Sequence, residues 1–210
     1  MKKIISLTAT FLLLFIFTGC ENYTELNDLA IIKSIGITYE NNQYTLYAEI
    51  IDEITKENIP ETKVVSATNK EFENIFDDIK LLVNKEIYLS HIDLLIISET
   101  LKNNNYQEII NYFLKNKEFR NDFLCIFSNE IPLILEHSKY DEIEELITTN
   151  TDSKNVINIT FEEIIKNFLD QKSFKASYIT YDEEIKFTNN ILYQNNKTER
   201  INNANKKNWI

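Results

Sequence analysis

The segment from Ile92 to Ile97 constrains the fold more than any other, because five of its six residues are leucine or isoleucine. A short apolar run of this kind predicts a buried strand. Apolar residues at helical spacing precede and follow it, which predicts a helix on each side. The first helix is opened by a capping box, Thr68 to Glu71. The apolar stripes comprise Phe72, Ile75, Phe76, Ile79, Leu82 and Val83 in the first helix and Tyr106, Ile109, Ile110, Phe113 and Leu114 in the second.

The order of the elements predicts the fold class. A further strand is expected at Phe123 to Phe127, so the chain reads strand, helix, strand, helix, strand around the central apolar run. This order predicts an α/β fold with a mixed sheet, with helices packed on it in two or three layers and with some parallel pairing. An α+β arrangement of the same elements stays open.

Turn residues separate the remaining elements. Asn41-Asn42 divides two strands, Ala30 to Ile37 and Gln43 to Ile51, and this predicts an antiparallel hairpin. A polar loop over residues 52–67 follows, with a short strand at 63–66. A second capping box, Thr160 to Glu163, opens a late helix. The other elements expected beyond Pro132 are helices over 131–136 and 140–147 and strands over 176–180 and 185–193.

These elements predict how the chain is divided. Residues 1–19 are expected to be a signal peptide and residues 20–193 a folded domain, with a division into subdomains at 20–130 and 131–193 left open. Residues 194–210 are rich in asparagine and lysine and poor in apolar residues, which predicts a disordered tail. A remnant of a missing C-terminal domain is the alternative for this segment.

The first twenty residues have the pattern of a targeting signal. Lys2 and Lys3 precede an apolar run of about 14 residues, shorter than the ~20 that a spanning helix needs. The run closes on Phe17-Thr18-Gly19-Cys20, which resembles the lipobox of a bacterial lipoprotein signal peptide. That resemblance implies a lipid attached to Cys20. An uncleaved anchor and an ordinary secretory signal are the alternatives.

Composition excludes several functional classes. The formal net charge is −11, and removal of residues 1–19, with two lysines and no acidic residue, makes it −13. Such an acidic chain argues against nucleic-acid binding and against a basic membrane-binding face. Two glycines in 210 residues leave no phosphate-binding glycine loop. The asparagine clusters follow the composition of an AT-rich genome and are assigned no structural role.

Few residues are candidates for chemistry, and no catalytic, metal or cofactor site is predicted. Ser90, His91 and Asp93 have the residue types of a catalytic triad, but neighbouring strand residues point to opposite faces, so His91 is expected to be structural or part of an interface. His137 is expected at a helix end, where a cation is favourable. Cys125 lies in an apolar run and is expected to be buried.

The two acidic clusters are expected to be solvated faces. They comprise Asp141 to Glu145 and Asp182 to Glu184. Neither has the regular oxygen spacing or the glycine of a calcium loop. Charge runs of this length are typical of exposed helix and turn surfaces.

Four blocks of sequence follow one another in an order found in one known family. They are Cys20 to Asn27, Ile35 to Thr38, Tyr88 to Glu99 and Ile110 to Arg120. Departures occur at Glu21, where the family has tryptophan, at Thr38, where it has aspartate, and at Lys117, where proline is usual. Together the blocks make the chain resemble the Ger(x)C family, the lipoprotein subunits of spore germinant receptors.

The resemblance runs from Cys20 to about Tyr193 and implies a function. It implies a non-enzymatic subunit without cofactors, anchored by a diacylglyceryl and palmitate lipid on the outer face of the cytoplasmic membrane, which in a spore is the inner membrane. Integral-membrane receptor subunits are the implied partners. Family members usually continue into a further C-terminal domain, so a short form is expected here. A solute-binding lipoprotein of a transporter is the alternative, and a cell-wall hydrolase is disfavoured.

Overall fold

Nine strands form one mixed sheet in the computed structural model of the chain, which describes residues 29–54, 60–151 and 156–201. The signal peptide, Cys20 and residues 202–210 lie outside the described residues. The strand order is β3-β2-β1-β5-β6-β7-β8-β9, and β4 pairs with β1 beside β5. The strands are β1 Leu29–Glu40, β2 Gln43–Ile54, β3 Pro60–Asn69, β4 Glu86–Tyr88, β5 Leu94–Ile97, β6 Leu124–Phe127, β7 Phe174–Asp182, β8 Glu184–Gln194 and β9 Lys197–Ile201.

The described residues also form five α-helices, which pack on both faces of the sheet. They are α1 Ile75–Val83, α2 Asn103–Lys115, α3 Ile131–His137, α4 Tyr140–Thr151 and α5 Phe161–Leu169. The predicted α/β class with a mixed sheet is confirmed. β1, β5, β6 and β7 pair in parallel, and antiparallel hairpins extend the sheet on either side.

The parallel strands fix two edges of the molecule. Ser34 pairs with Leu94 and Leu94 with Leu124, so β1, β5 and β6 run in register. We call the side on which β5 and β6 begin the amino edge and the side on which they end, at Ile97 and Phe127, the carboxyl edge.

Both sides of the central strands are buried because apolar residues occupy every position of β5. Leu95 and Ile97 join the larger core cluster, under α1, α2 and α5. Leu94 and Ile96 join the smaller cluster, under α3 and α4. Parallel strands flanked by helices on both sides have this continuous apolar character.

Helix α3 approaches the sheet closely at Gly36. A methyl group built on this residue would overlap the Cγ2 methyl of Ile131, the first residue of α3. Both residues are fully buried. Glycine at this position of β1 therefore lets α3 pack directly on the backbone of the strand.

Of the two predicted capping boxes, the one at Thr160 is confirmed and the one at Thr68 is wrong. Thr160 caps α5 as predicted: its side chain accepts a bond from the Glu163 N–H, and the Glu163 carboxylate accepts one from the Thr160 N–H. The capping box at Thr68 is wrong, because β3 extends through Asn69. Thr68 pairs with Thr45 in the sheet instead, and α1 begins only at Ile75, after a 3₁₀ turn.

Some boundaries and orientations also differ from the predictions. β3 has ten residues where a short strand was expected. β5 starts at Leu94, so Ser90, His91 and Asp93 lie in the preceding turn. Leu82 and Leu114 belong to the predicted inward stripes but are 62% and 49% exposed, whereas Val83, the last residue of α1, still packs against the core.

The predicted disordered tail is wrong over residues 197–201, which form β9. A tight turn at Asn195 and Asn196, with φ of 51° and 63°, returns the chain from β8. Local hydrogen bonding lets asparagine adopt this left-handed conformation more readily than most residues. Six of the eight described non-glycine residues with positive φ are asparagine. The asparagine clusters thus have a structural role that composition did not reveal.

Replacing Gly36 by alanine should destabilise the protein by about 1–3 kcal/mol, the usual cost of overpacking a core. The double variant Gly36→Ala/Ile131→Leu should recover part of this loss, because leucine has no branch at Cβ. Urea denaturation of the two single variants and the double variant measures the coupling. Additive effects would contradict a direct contact.

Candidate functional site at the carboxyl edge of the sheet

The residues that suggested a catalytic triad make separate contacts. Ser90 donates through its hydroxyl to the backbone carbonyl of Glu118, at 2.8 Å. His91 is exposed, and Asp93 forms an ion pair with Lys33. No hydrogen bond joins any two of the three, so the structure does not assemble them into a nucleophilic site.

The other residues singled out in the sequence are held structurally. His137 ends α3 as predicted, and its ring stacks on Tyr181 with the centroids 5.2 Å apart. Cys125 is buried in β6, as predicted, and this burial raises the pKa of its thiol well above the ordinary value. A thiol held in its protonated form is a poor nucleophile.

The acidic clusters are exposed, as predicted. The carboxylates of 141–145 lie on the outer face of α4, and Asp182, the last residue of β7, pairs with Lys186 at 2.8 Å. Within the described residues, no group of three or more His, Cys, Asp or Glu is arranged to hold a metal ion.

A polar network occupies the carboxyl edge, where β5 and β6 end. Ser98 follows β5 and is buried, and its hydroxyl donates to Oδ1 of Asn129, which follows β6, at 2.8 Å. The Asn129 amide donates in turn to Oε1 of Glu99, at 2.7 Å. These contacts join the two loops that leave neighbouring parallel strands.

Arg200 completes the network from β9. Its guanidinium binds the Glu99 carboxylate through two hydrogen bonds of 2.6 and 2.5 Å and donates to the Tyr178 hydroxyl at 2.6 Å. The guanidinium also lies 4.1 Å from the centre of the Tyr178 ring. Such a bidentate pair is stronger than an ordinary surface ion pair. The Arg200 hydrogen bonds lower the pKa of Glu99.

A cleft of about 460 Å³ lies between the start of α2, the end of α5 and the β8–β9 turn, and none of the network residues lines it. On one side, Tyr193 donates to Oδ1 of Asn103 at 2.7 Å. The lining is mainly polar: Asn103, Gln107, Gln171, Lys172, Asn195 and Asn196. Clefts of this size are common ligand sites, and amides with one lysine suit a small polar or anionic solute.

A second polar pair is buried under the helices α3 and α4. Glu49 of β2 is 2% exposed and accepts a hydrogen bond of 2.5 Å from Ser34 of β1. Burial raises the pKa of Glu49, since removal of water disfavours the charged carboxylate. The contact links adjacent strands directly and leaves no opening for a ligand, so we assign it a structural role.

Sequence reasoning missed the network residues. Glu99 and Ser98 closed one of the four family blocks, but Asn129 carried no signal and Arg200 was assigned to a disordered tail. The network depends on contacts between residues 101 positions apart, and no local pattern encodes such a pairing.

A family model described as the spore germination protein N-terminal domain matches residues 22–181 of the chain. The match covers well over half of the 210 residues. The chain belongs to this family. The resemblance to Ger(x)C proteins is thereby confirmed, and the family supports a role in spore germination. Searches of curated proteins and of solved structures gave no significant match.

The family match locates the network within this germination domain. Ser98, Glu99, Asn129 and Tyr178 lie inside the matched range, whereas Arg200 lies beyond its end. β9 lies outside the matched range, and its Arg200 binds the carboxyl edge of the matched domain through Glu99. Among the described helices, none is long and apolar enough to span a bilayer.

Replacing Arg200 by glutamine should cost about 1 kcal/mol at pH 7, because Glu99 loses a partly buried partner. The pKa of Glu99 is lowered in the folded protein, so the pair stabilises the fold above the ordinary glutamate value of 4.5 and this contribution is lost as the pH falls further. Thermal unfolding of wild type and variant between pH 7 and pH 3 should therefore give converging midpoints.

Arg120→Gln is the matched control, because Arg120 also pairs with an acidic residue, Asp122, but both side chains are more than half exposed. Its effect at pH 7 should be smaller than that of Arg200→Gln. Equal effects would contradict a special role for the carboxyl-edge pair.

Proposed function

We propose that this chain is the lipid-anchored, non-enzymatic subunit of a spore germinant receptor and that it acts through protein–protein contacts. The family match over residues 22–181 carries this proposal. The partners are integral-membrane receptor subunits, and the location is the outer face of the cytoplasmic membrane, which in a spore is the inner membrane. The family is one of receptor subunits that are not known as enzymes.

A lipid on Cys20 provides the anchor in this proposal. The support comes from the sequence, where a basic start and an apolar run lead to Thr18-Gly19-Cys20. Each buried methylene contributes about 0.8 kcal/mol, and stable anchoring takes two acyl chains or a second signal. A diacylglyceryl group meets this requirement.

The carboxyl edge offers a surface fixed in one arrangement by the Glu99–Arg200 pair and the Asn129 bridge. Rigid, hydrogen-bonded loops lose little entropy when they bind a partner. Receptor subunits are therefore expected to contact this edge.

Cys20→Ala should abolish incorporation of labelled palmitate and leave an unprocessed precursor of higher mass, because no thiol remains for the lipid. Metabolic labelling followed by gel electrophoresis measures both effects. Cys125→Ala is the control, since Cys125 is buried in the core and should leave the labelling unchanged. Unchanged labelling of the Cys20 variant would refute the proposed anchor.

The tagged full-length protein should co-purify with a multi-spanning membrane protein encoded nearby when spore membranes are solubilised in mild detergent. Deletion of its gene should slow nutrient germination, measured as the loss of optical density of a spore suspension. A free monomer in the membrane extract, together with normal germination of the deletion strain, would contradict the receptor role.

The polar cleft of about 460 Å³ favours the second candidate, a solute-binding lipoprotein of a transporter. Such a protein would need two lobes around its ligand. Here the cleft lies beside helix ends and a turn of a single sheet, so it meets only part of that requirement. A solute-dependent rise in the melting temperature would support this alternative.

A further inference from the structure

The cleft between α2, α5 and the β8–β9 turn is a cavity that the proposed contacts at the carboxyl edge do not use. Its volume of about 460 Å³ falls within the ~300–1,000 Å³ that is typical of ligand pockets. Phe168 and Leu169 border this space with apolar atoms. Side-chain amides supply most of its polar lining: Asn103, Gln107, Gln171, Asn195 and Asn196.

One wall of the cleft is held in place by contacts within the fold. The Tyr193 hydroxyl donates to Oδ1 of Asn103 at 2.7 Å, which joins β8 to the first residue of α2. The Tyr193 ring is buried and stacks on Phe174, with the ring centroids 4.8 Å apart. A wall that is already formed lowers the entropic cost of binding a ligand.

Three of the lining amides are available to a ligand. The side chains of Gln107, Gln171 and Asn195 form no hydrogen bond with another described residue, and all three residues are exposed. Each of these amides carries two N–H donors and a carbonyl acceptor. A sugar hydroxyl both donates and accepts hydrogen bonds, so it suits these groups better than an ion of either sign does.

The charges at the cleft favour an uncharged ligand. Among the described residues that line it, Lys172 alone is charged, and its ammonium group pairs with Asp170 at 2.8 Å. An amino acid would therefore find no lining carboxylate for its ammonium group. The net charge of −11 also disfavours the approach of an anion.

Gln171 keeps a side chain at a position that favours glycine. It follows the C-cap of α5 and has a φ of 55°, in the left-handed region where glycine is the usual residue after a helix. Asn195 and Asn196 of the β8–β9 turn also have positive φ, and all three residues line the cleft. Strained backbone conformations occur disproportionately at ligand sites.

We propose that the cleft binds a neutral polyhydroxylated ligand, a mono- or disaccharide. The side-chain amides of Gln107, Gln171 and Asn195 bind its hydroxyl groups, and Phe168 and Leu169 contact the C–H face of the sugar ring. This site goes beyond the proposed function, which depends on contacts with receptor subunits. Sugar binding is measured on the protein alone, whereas co-purification and germination decide the receptor role, so the two proposals can fail separately.

Isothermal titration calorimetry measures binding to the full-length protein, solubilised in a detergent without a sugar headgroup. Glucose, maltose and sucrose are the sugar probes, and alanine and adenosine represent zwitterions and nucleosides. At least one sugar should bind with a dissociation constant in the millimolar range or below. Binding of alanine or adenosine in place of a sugar, or no binding heat with any of the sugars at ~10 mM, would overturn the proposal.

Gln171→Gly tests the site without straining the backbone, because glycine readily adopts the left-handed conformation. This variant should bind the sugar roughly threefold to tenfold more weakly, the effect of one lost hydrogen bond. Asn84→Gly is the matched control, since Asn84 has a φ of 53° but caps the end of α1 and does not line the cleft. Equal affinities of the two variants would place the sugar elsewhere and refute the site.

Lys172→Gln tests whether the ligand is neutral. The change removes the charge and keeps an amide, so the sugar affinity should change by less than about twofold, as is usual for an exposed charge. Loss of binding in this variant would show that the ligand needs the cation and would refute the neutral class.

Discussion

Burial of both faces of β5 is the constraint on which the rest of the structure depends. Its four apolar residues leave no polar face for solvent, so helices must cover the sheet on each side. Residues of β5 enter both core clusters, and the second cluster includes Ile131 of α3, which packs on β1 at Gly36. The hairpins on either side then extend a sheet whose centre is already fixed.

The same parallel arrangement concentrates polar groups at the carboxyl edge. Loops leave β5 and β6 side by side, and the Asn129 side chain joins them. Arg200 reaches this point from β9, where its charge meets a carboxylate and an aromatic ring. In the proposed receptor subunit, this hydrogen-bonded edge is the surface that partner subunits contact.

The two edges of the sheet differ in chemistry, and this gives the molecule a direction. The amino edge carries exposed leucines near the ends of α1 and α2, whereas the carboxyl edge carries the ion-paired network. In the proposed receptor, the carboxyl edge is free to contact neighbouring subunits.

Local sequence patterns determined the α/β class, most of the elements, the cap at Thr160 and the family, because each depends on residues close together in the chain. Tertiary structure decided the rest. Thr68 pairs with Thr45 in the sheet and does not cap a helix. Residues 197–201 form β9 because the turn at Asn195 returns the chain to the sheet. The Glu99–Arg200 pair joins residues 101 positions apart, and only the folded sheet brings them together.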